Sequence, residues 1–402
     1  MKKWTVLLIA VLFCACFACA MAEEAEPETF TSGDYEYILL ADGTAEITKY
    51  NGRAETLEIP ATLDRYPVTS IGDSAFSDCR YLTRAVIPDS VTNIGINPFA
   101  GCYYLFVIRV SPDHPTLAVI DGVLFSKADK RLICYPNRKQ GTEYAIPRGI
   151  QVIGDYAFYD CESLTSIALP DSVTSIGDRA FSNCENLTSI TIPEGVTIIG
   201  EYTFYGCYRL TSVALPDSVT SIGNYAFSGC SLTSITIPEG VTSIGEYAFY
   251  GCDVLTSITI PDSATSIGES AFSGCRSLIS ITIPDSVTSI GNCAFYNCIS
   301  LTSVTIPEGV TSIGDNAFSY CISLTSITVP DSVTSIGEKA FSFCDSLTSV
   351  TIPDSVTSIG DSAFFYCISL TLTVPRDSYA VQYCQDNDLN YIYPDSLDWL
   401  NN

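Results

Sequence analysis

The sequence is poorest in histidine, with a single residue, His114, among 402. Because His114 stands between Asp113 and Pro115, we interpret it as a structural turn residue rather than a general base. The chain also lacks the Gly-x-Ser-x-Gly and His-Glu-x-x-His motifs and the glycine-rich phosphate loop that mark many catalytic sites. We therefore expect no enzyme, no catalytic residues, no cofactor and no metal site.

Basic residues are also scarce: 19 lysines and arginines stand against 45 aspartates and glutamates, which gives a formal net charge of −26. Nucleic acids and anionic lipid surfaces are bound through basic patches. This balance argues against a nucleic-acid partner and against a membrane surface. It favours solubility, and we expect a monomer.

Long apolar runs are absent apart from one at the start of the chain. It extends from Trp4 to Ala20, follows Lys2 and Lys3, and leads into the small-x-small pattern Ala20-Met21-Ala22. These are the three parts of a secretory signal peptide. We predict that residues 1–22 are removed, and that the product has no membrane span and is exported, either secreted or on the cell surface.

What fills the chain instead is a repeat, and its clearest marker is an Ile-Gly pair. The spacing is 23 residues from Ile176 to Ile359, apart from one 22-residue step before Leu232. The twelve pairs begin at Ile71, Ile94, Ile153, Ile176, Ile199, Ile222, Ile244, Ile267, Ile290, Ile313, Ile336 and Ile359. A strict period of this length predicts a solenoid.

Each repeat follows the template L-x-x-I-x-I-P-x-x-V-x-x-I-G-x-x-A-F-x-x-C, as in Leu324 to Ser346. The alternating Ser-Ile-Thr segment predicts a half-buried strand, and the following proline predicts its end. Val-Thr-Ser-Ile predicts a second short extended piece, and we place Ala-Phe on a one-turn helix. One coil cannot bury its own apolar face, so coils must stack. The predicted fold is a curved leucine-rich-repeat solenoid of about twelve coils with capped ends.

The period also divides the chain. After the signal peptide, residues 23–30 are acidic, and we expect them to be disordered. Asp42-Gly43 predicts a hairpin. At the far end, Asp377-Ser378 predicts a short helix to about Asp388, followed by an extended segment. The predicted segments are a hairpin and capping coil at 23–70, the first coils at 71–102, an irregular β-excursion at 103–150, the regular array at 151–369 and a C-terminal cap at 370–402.

Eighteen cysteines are present, and twelve of them occupy one repeat position. In an exported chain this number suggests disulfides. The regular register instead favours buried thiols, because the position must face inward and free cysteine packs as a small apolar side chain. A zinc site is the weakest alternative, since no Cys-x-x-Cys pair is present after residue 22 and no histidine lies near enough to complete a site.

The excursion contains the main basic island of an acidic chain. It is predicted to stand off the rod as a small β-structure around Asp121-Gly122. A basic island could contact a partner, although an inserted hairpin can also be basic simply because it is solvated. The candidate contact residues are Arg109, Lys127, Lys130, Arg131, Arg138 and Lys139.

The repeat, the Asp42 to Tyr50 stretch and the Asp121 to Phe125 stretch together resemble the BspA-like class of bacterial leucine-rich repeat proteins. The resemblance covers nearly the whole chain after residue 22. It implies a leucine-rich-repeat fold in a surface or secreted protein without a shared catalytic motif. It also implies adhesion, to host extracellular-matrix proteins or between bacteria. The chain shows no surface anchor or accessory domain of the kind that would tether such an adhesin.

Stacked strands should expose rows of serine and threonine, and we predict a protein-binding face there. Its candidate residues are Ser257, Thr259, Ser280, Thr282, Ser303 and Thr305. Two alternatives remain open. Acidic columns after proline (Asp262, Asp285, Glu308, Asp331) and after glycine (Glu269, Asp315, Glu338, Asp361) could bind calcium on an acidic surface protein without a specific protein partner. A regular hydroxyl array could also match an ice lattice.

Overall fold

The structure is a computed structural model that describes residues 27–394. The predicted signal peptide lies outside the described residues. The chain forms a β-solenoid in which most coils contribute two short strands to two parallel stacks. Among the residues described, no helix has the length and apolar character needed to cross a bilayer.

The first part of the chain, through the excursion, contains thirteen strands. They are β1 (Thr29–Ser32), β2 (Tyr35–Leu39), β3 (Ala45–Tyr50), β4 (Thr56–Glu58), β5 (Thr62–Leu63), β6 (Tyr66–Ile71), β7 (Arg84–Val86), β8 (Asn93–Ile94), β9 (Val107–Arg109), β10 (Leu117–Ile120), β11 (Val123–Ser126), β12 (Arg131–Cys134) and β13 (Glu143–Ala145).

In the regular array, strands of three residues alternate with strands of two. They are β14 (Val152–Ile153), β15 (Ser166–Ala168), β16 (Ser175–Ile176), β17 (Ser189–Thr191), β18 (Ile198–Ile199), β19 (Ser212–Ala214), β20 (Ser221–Ile222), β21 (Ser234–Thr236), β22 (Ser243–Ile244), β23 (Ser257–Thr259), β24 (Ser266–Ile267), β25 (Ser280–Thr282), β26 (Ser289–Ile290), β27 (Ser303–Thr305), β28 (Ser312–Ile313), β29 (Ser326–Thr328), β30 (Ser335–Ile336), β31 (Ser349–Thr351), β32 (Ser358–Ile359) and β33 (Thr371–Thr373). Helix α1 (Tyr379–Asp386) and β34 (Tyr391–Ile392) follow.

Two eight-stranded parallel sheets make up most of the array. The Ser/Thr sheet runs in the order β21-β23-β25-β27-β29-β31-β33-β34, and the second sheet runs β18-β20-β22-β24-β26-β28-β30-β32. In the Ser-Ile-Thr strands the central residue is buried while both neighbours are exposed, as the alternating sequence predicts. Pairing is interrupted between β19 and β21, at the 22-residue step. The other sheet is also interrupted, between β16 and β18, where the step is the regular 23 residues, and the stack continues through both breaks.

The predicted one-turn helix at Ala-Phe is wrong, because this side of each coil is a series of tight turns. The Ala180 amide donates to the Gly177 carbonyl oxygen at 3.3 Å, and the Ser182 amide donates to that of Arg179 at 3.1 Å. Arg179 and Asn183 have φ angles of 55° and 58°. A left-handed residue reverses the helical sense of the chain, so the turns cannot join into a helix.

A ladder of phenylalanines fills the solenoid behind these turns. Phe158 to Phe364 stack coil on coil, with ring centroids 5.2 to 5.5 Å apart and planes within 16° of parallel. All of these rings are buried. Because each ring packs on the rings of the coils before and after it, burial is supplied by neighbouring coils.

All fifteen described cysteines are free thiols. Of the twelve at the repeat position, eleven are buried and Cys79 is half-buried. This confirms the prediction of buried thiols over a disulfide framework. His114 is also buried and structural: its Nδ1 accepts the Leu117 amide at 3.1 Å, and its Nε2 lies 3.3 Å from the Pro88 carbonyl oxygen.

The excursion does not stand off the rod, contrary to the prediction. Strands β10 and β11 form an antiparallel hairpin, and β12 pairs with β11 on one side and in parallel with β14 on the other. Leu124 and Ile133 belong to the hydrophobic core that begins at the N-terminal hairpin, whereas Phe125 and Leu132 belong to the core of the array. Alternate residues of the same strands thus face two different cores, so the excursion is built into the stack.

The ends differ from the predictions in one detail. Strand β1 begins at Thr29 and pairs with β2, so the expected disorder of residues 23–30 is wrong for Thr29 and Phe30. Strands β2 and β3 flank the turn at Asp42-Gly43. Helix α1 follows Ser378 and packs its buried Ala380, Tyr383 and Cys384 against the last coil, and β34 then extends the Ser/Thr sheet.

Candidate functional site

The Ser/Thr sheet carries the predicted binding residues in register. Ser257 aligns with Ser280 and then Ser303, and Thr259 aligns with Thr282 and then Thr305. All six side chains are exposed. Within residues 27–394 none of their hydroxyl groups has a hydrogen-bond partner in the chain. With parallel strands about 4.8 Å apart, they form two rows of available hydroxyls.

Neighbouring threonines behave differently. Thr256, which directly precedes Ser257, donates from Oγ1 to the Thr233 carbonyl oxygen of the preceding coil at 3.1 Å. Thr302 makes the equivalent bond to Ile279, also at 3.1 Å. These hydroxyls link coils, whereas the rows on the strands do not. The structure therefore separates repeat threonines that hold the stack from those that only face outward.

Three of the six candidate basic residues are occupied within the excursion itself. Lys127 Nζ donates to the His114 carbonyl oxygen, and Arg131 forms an ion pair with Asp129 at 2.9 Å. The Lys139 side chain is only 16% exposed and its Nζ lies 3.1 Å from Asp121 Oδ2. These side chains stabilise the hairpin turns.

The other three, Arg109, Lys130 and Arg138, are exposed. Arg109 ends β9, and Lys130 occupies a left-handed turn position with a φ angle of 52°. Arg138 lies outside the hairpin, with its guanidinium 5.4 Å from the centroid of the Tyr104 ring. The predicted basic island is therefore not one patch of free cations.

The column after glycine joins coils at several positions where its residue is aspartate or asparagine. Asp178 Oδ1 accepts the Glu201 amide at 2.8 Å, and Asp315 Oδ1 accepts the Glu338 amide at 2.7 Å. Asn292 accepts the Asp315 amide in the same way at 2.9 Å. Over residues 27–394, no group of three or more His, Cys, Asp or Glu side chains could hold a metal ion.

An aromatic stripe that the sequence analysis did not single out runs along the turn side of the array. Tyr202, Tyr225 and Tyr247 stack face to face, with centroids 4.6 and 4.5 Å apart and planes within 4°. The Arg179 guanidinium covers the other face of Tyr202 at 4.2 Å. The signal was present in the sequence, because tyrosine recurs two residues after the repeat glycine in these coils.

A cleft opens where the excursion joins the array, and the sequence analysis missed it as well. Its volume is about 420 Å³, and four turns from successive levels of the stack line it. Arg80 lies in the turn at the end of one coil, and Tyr103 and Tyr104 lie in the turn at the end of the next. Asn137 and Arg138 belong to the excursion. Asp160, Glu162 and Ser163 complete it from the first coil of the array. No single repeat carries this set of residues, which is why the period could not reveal it.

The floor of the cleft is a buried carboxylate. Asp160 is 8% exposed, and its Oδ1 accepts the Asn183 amide group at 2.8 Å. Burial raises the pKa of Asp160 above its usual range, and the hydrogen bond from Asn183 opposes the shift. Asn137 Nδ2 donates to the Asp160 carbonyl oxygen at 3.2 Å, so the excursion and the array share this floor.

Stacked 23-residue coils with inward leucine, isoleucine, phenylalanine and cysteine ladders define the leucine-rich-repeat class of solenoid. The model for the BspA type leucine-rich repeat region matches residues 47–130, 133–255 and 242–371, in six copies. The chain belongs to the BspA-type leucine-rich repeat family, as its sequence predicts.

Two solved structures are similar over almost the entire chain. A leucine-rich cell surface protein from Faecalibacterium prausnitzii A2-165 is 35% identical with a TM-score of 0.55, over 91% of this chain and 98% of that one. A leucine-rich repeat protein from Bacteroides ovatus is 31% identical with a TM-score of 0.64, over 90% and 99%. Among curated proteins, none matches the sequence.

Proposed function

We propose that the chain is an exported, non-enzymatic protein-binding module that acts in adhesion, with the Ser/Thr sheet as its contact face. The observation that carries the proposal is the pair of exposed hydroxyl rows without partners in the chain, at Ser257, Ser280, Ser303 and at Thr259, Thr282, Thr305. Extended solenoid faces of this kind are the surfaces on which repeat proteins bind partners.

Two further observations support the proposal. The similarity to a bacterial cell surface protein favours a location outside the cell, where a host protein or another bacterium is the available partner. The exposed Arg109 and Lys130 offer separate additional contacts for acidic groups of the same partner.

Point substitutions test the face without disturbing the core. The triple variant Thr259→Glu, Thr282→Glu, Thr305→Glu places three carboxylates on the proposed face. We expect it to weaken binding to purified extracellular-matrix proteins, or to whole bacterial cells, at least tenfold by surface plasmon resonance or cell-binding assay.

A matched control separates location from charge. Thr265, Thr288 and Thr311 are also exposed, but they precede strands of the second sheet. Each of their hydroxyls donates to a carbonyl oxygen of the preceding coil at 3.3 to 3.5 Å, so the melting temperature of this variant is measured first to verify that it is folded. Their change to glutamate adds the same charge elsewhere on the same coils and should leave binding unchanged. Equal binding by the parent and both triple variants would place the contact off the Ser/Thr sheet.

The alternative function is that of an acidic surface protein that binds cations such as calcium. It is favoured only by the charge, since the short acids in the column accept backbone amides of the next coil. The calcium experiment in the Discussion tests it.

A further inference from the structure

We propose that the cleft between the excursion and the array, lined by Arg80, Tyr104, Asn137, Arg138 and Glu162, binds a neutral saccharide unit of a glycan. The proposal does not depend on the Ser/Thr sheet, which lies on strands rather than on these turns. A volume of about 420 Å³ falls within the size range of small-ligand sites, about 300–1,000 Å³.

The first argument is that charges of both signs line the cleft without pairing. Across residues 27–394, neither Arg80 nor Arg138 forms an ion pair with a carboxylate, and Glu162 forms none with a base. The two guanidinium groups and the Glu162 carboxylate therefore remain available to hydrogen-bond to a ligand that lies between them.

The second argument concerns the type of polar group. Arginine offers only donors, glutamate only acceptors, and asparagine and serine both. Sugar hydroxyls donate and accept at once, so a single sugar ring can satisfy both sets. The two arginine charges are offset by Asp160 and Glu162, which disfavours a ligand that carries strong charge of one sign.

The third argument is the aromatic wall. Tyr104 is 51% exposed although it is a large side chain, and the Arg138 guanidinium lies 5.4 Å from its ring centroid. Such a ring presents an apolar surface and a hydroxyl together. The C–H face of a sugar ring packs on this type of surface, while its hydroxyls reach the arginines and the glutamate.

The fourth argument is that the cleft is preorganised. The Asn137 amide donates to the carbonyl oxygens of Tyr159 and Asp160, at 3.1 and 3.2 Å. The Arg138 backbone amide donates to the Leu105 carbonyl oxygen at 2.9 Å. Both sides of the cleft are therefore fixed before a ligand arrives, which lowers the entropy lost on binding.

Saturation-transfer NMR with the full-length protein tests the proposal. The probes are the methyl glycosides of glucose, galactose, mannose and N-acetylglucosamine, with methyl glucuronide and an acidic hexapeptide as charged alternatives. We expect transfer to the ring protons of at least one neutral glycoside. The proposal is overturned if saturation is transferred to none of the neutral glycosides, or only to the glucuronide or the peptide.

Variants locate the binding. Tyr104→Ala, Arg138→Ala and Glu162→Ala each change an exposed side chain, and each should weaken glycoside affinity at least tenfold. Tyr208→Ala and Arg209→Ala change the equivalent repeat turn after Cys207, outside this cleft, and should bind like the parent. Unchanged affinity in the three cleft variants overturns the proposal, and the melting temperature of each variant verifies that it is folded.

Discussion

Cys184 donates its Sγ hydrogen to the carbonyl oxygen of Phe158, one coil earlier, at 3.2 Å. The Phe158 amide is bonded to the same later coil, through the Ala180 carbonyl oxygen at 2.8 Å. The pattern recurs from Cys207 to Cys367, with sulfur-to-oxygen distances of 3.0 to 3.3 Å. The repeat cysteine is therefore both an apolar core residue and the donor that satisfies a buried carbonyl.

The first prediction concerns this ladder. Cys275→Ala should lower the free energy of unfolding by about 1–3 kcal/mol, because the buried Phe249 carbonyl oxygen loses its donor. Cys275→Ser keeps a donor and should be destabilised less. Urea unfolding followed by tyrosine fluorescence measures both. Equal destabilisation by alanine and serine would show that only the size of the sulfur matters.

The second prediction concerns thiol reactivity. Cys79 and Cys293 are the half-buried thiols among those described, whereas burial raises the pKa of Cys184 and Cys275 well above the usual range. Hydrogen bonding with Cys102 lowers the pKa of Cys79, and burial raises that of Cys293. Since the thiolate is the nucleophile, Cys79 should be alkylated first at neutral pH.

Mass spectrometry after brief iodoacetamide treatment identifies the modified residue. Cys79→Ser should remove the fast phase, and the buried thiols should react only after denaturation. Rapid labelling of Cys184 or Cys275 in the native protein would contradict the buried ladder.

The third prediction concerns pH. Burial raises the pKa of Asp160 in the folded state above its ordinary value of 3.8. The folded protein therefore binds this proton more readily than the unfolded chain does. The stability that this proton contributes is lost as pH rises from 3.8 through the raised pKa. Above the raised pKa, the folded protein bears the full cost of burying the Asp160 carboxylate.

Asp160→Asn should consequently raise the melting temperature at pH 7, and the difference from the parent should vanish near pH 3. The backbone accepts the change, because Asn183 occupies the equivalent position of the next coil with nearly the same φ, 58° against 56°. Thermal scans across this range test the prediction. A variant less stable than the parent at pH 7 would contradict it.

The fourth prediction concerns calcium. The Oδ1 atoms of Asp178 and Asp315 already accept backbone amides, so the column offers few free ligands of the kind calcium requires. The melting temperature should be the same in 2 mM calcium as in EDTA, within about 1 °C, compared with a rise of about 5 °C for the ~4 kcal/mol that binding at about 1,000 times the Kd would give a chain of this length. A clear rise in calcium would favour the cation-binding alternative.

Much of the fold could be predicted from the sequence, because the same type of residue recurs at each repeat position in many coils. The template predicted the strands and the buried thiols, Asp377-Ser378 predicted the helix that follows, and the match to the family confirms the class. The one-turn helix failed because left-handed residues such as Arg179 are not glycines and give no sequence signal for a positive φ. Asp121-Gly122 predicts a hairpin, but only the fold shows that Leu124 and Phe125, neighbours on one of its strands, face two different cores and so build the excursion into the stack.

The candidate sites divide in the same way. The rows of Ser257 and Thr259 could be predicted, because period-two alternation determines which side chains leave a strand outward. The Thr256 hydroxyl donates to the preceding coil, whereas the Ser257 hydroxyl has no hydrogen-bond partner in the described chain. This difference depends on coil-to-coil distances, which the sequence does not give. Likewise, the basic residues of the excursion were visible as a group, yet only the folded hairpin shows that Lys139 is paired with Asp121.

The sequence alone determined that this protein is a stack of coils, because a strict period with inward apolar positions has no other way to bury them. It also determined the acidic, hydroxyl-rich surface. Tertiary structure alone decided where that regularity is broken. Arg80, Tyr104, Arg138 and Asp160 are as much as 80 residues apart in sequence and meet only because the excursion inserts one level between two coils. Periodicity places Arg80 and Tyr103 at equivalent positions one coil apart, but only the fold shows that the excursion brings Asn137 and Arg138 beside them to form a cleft.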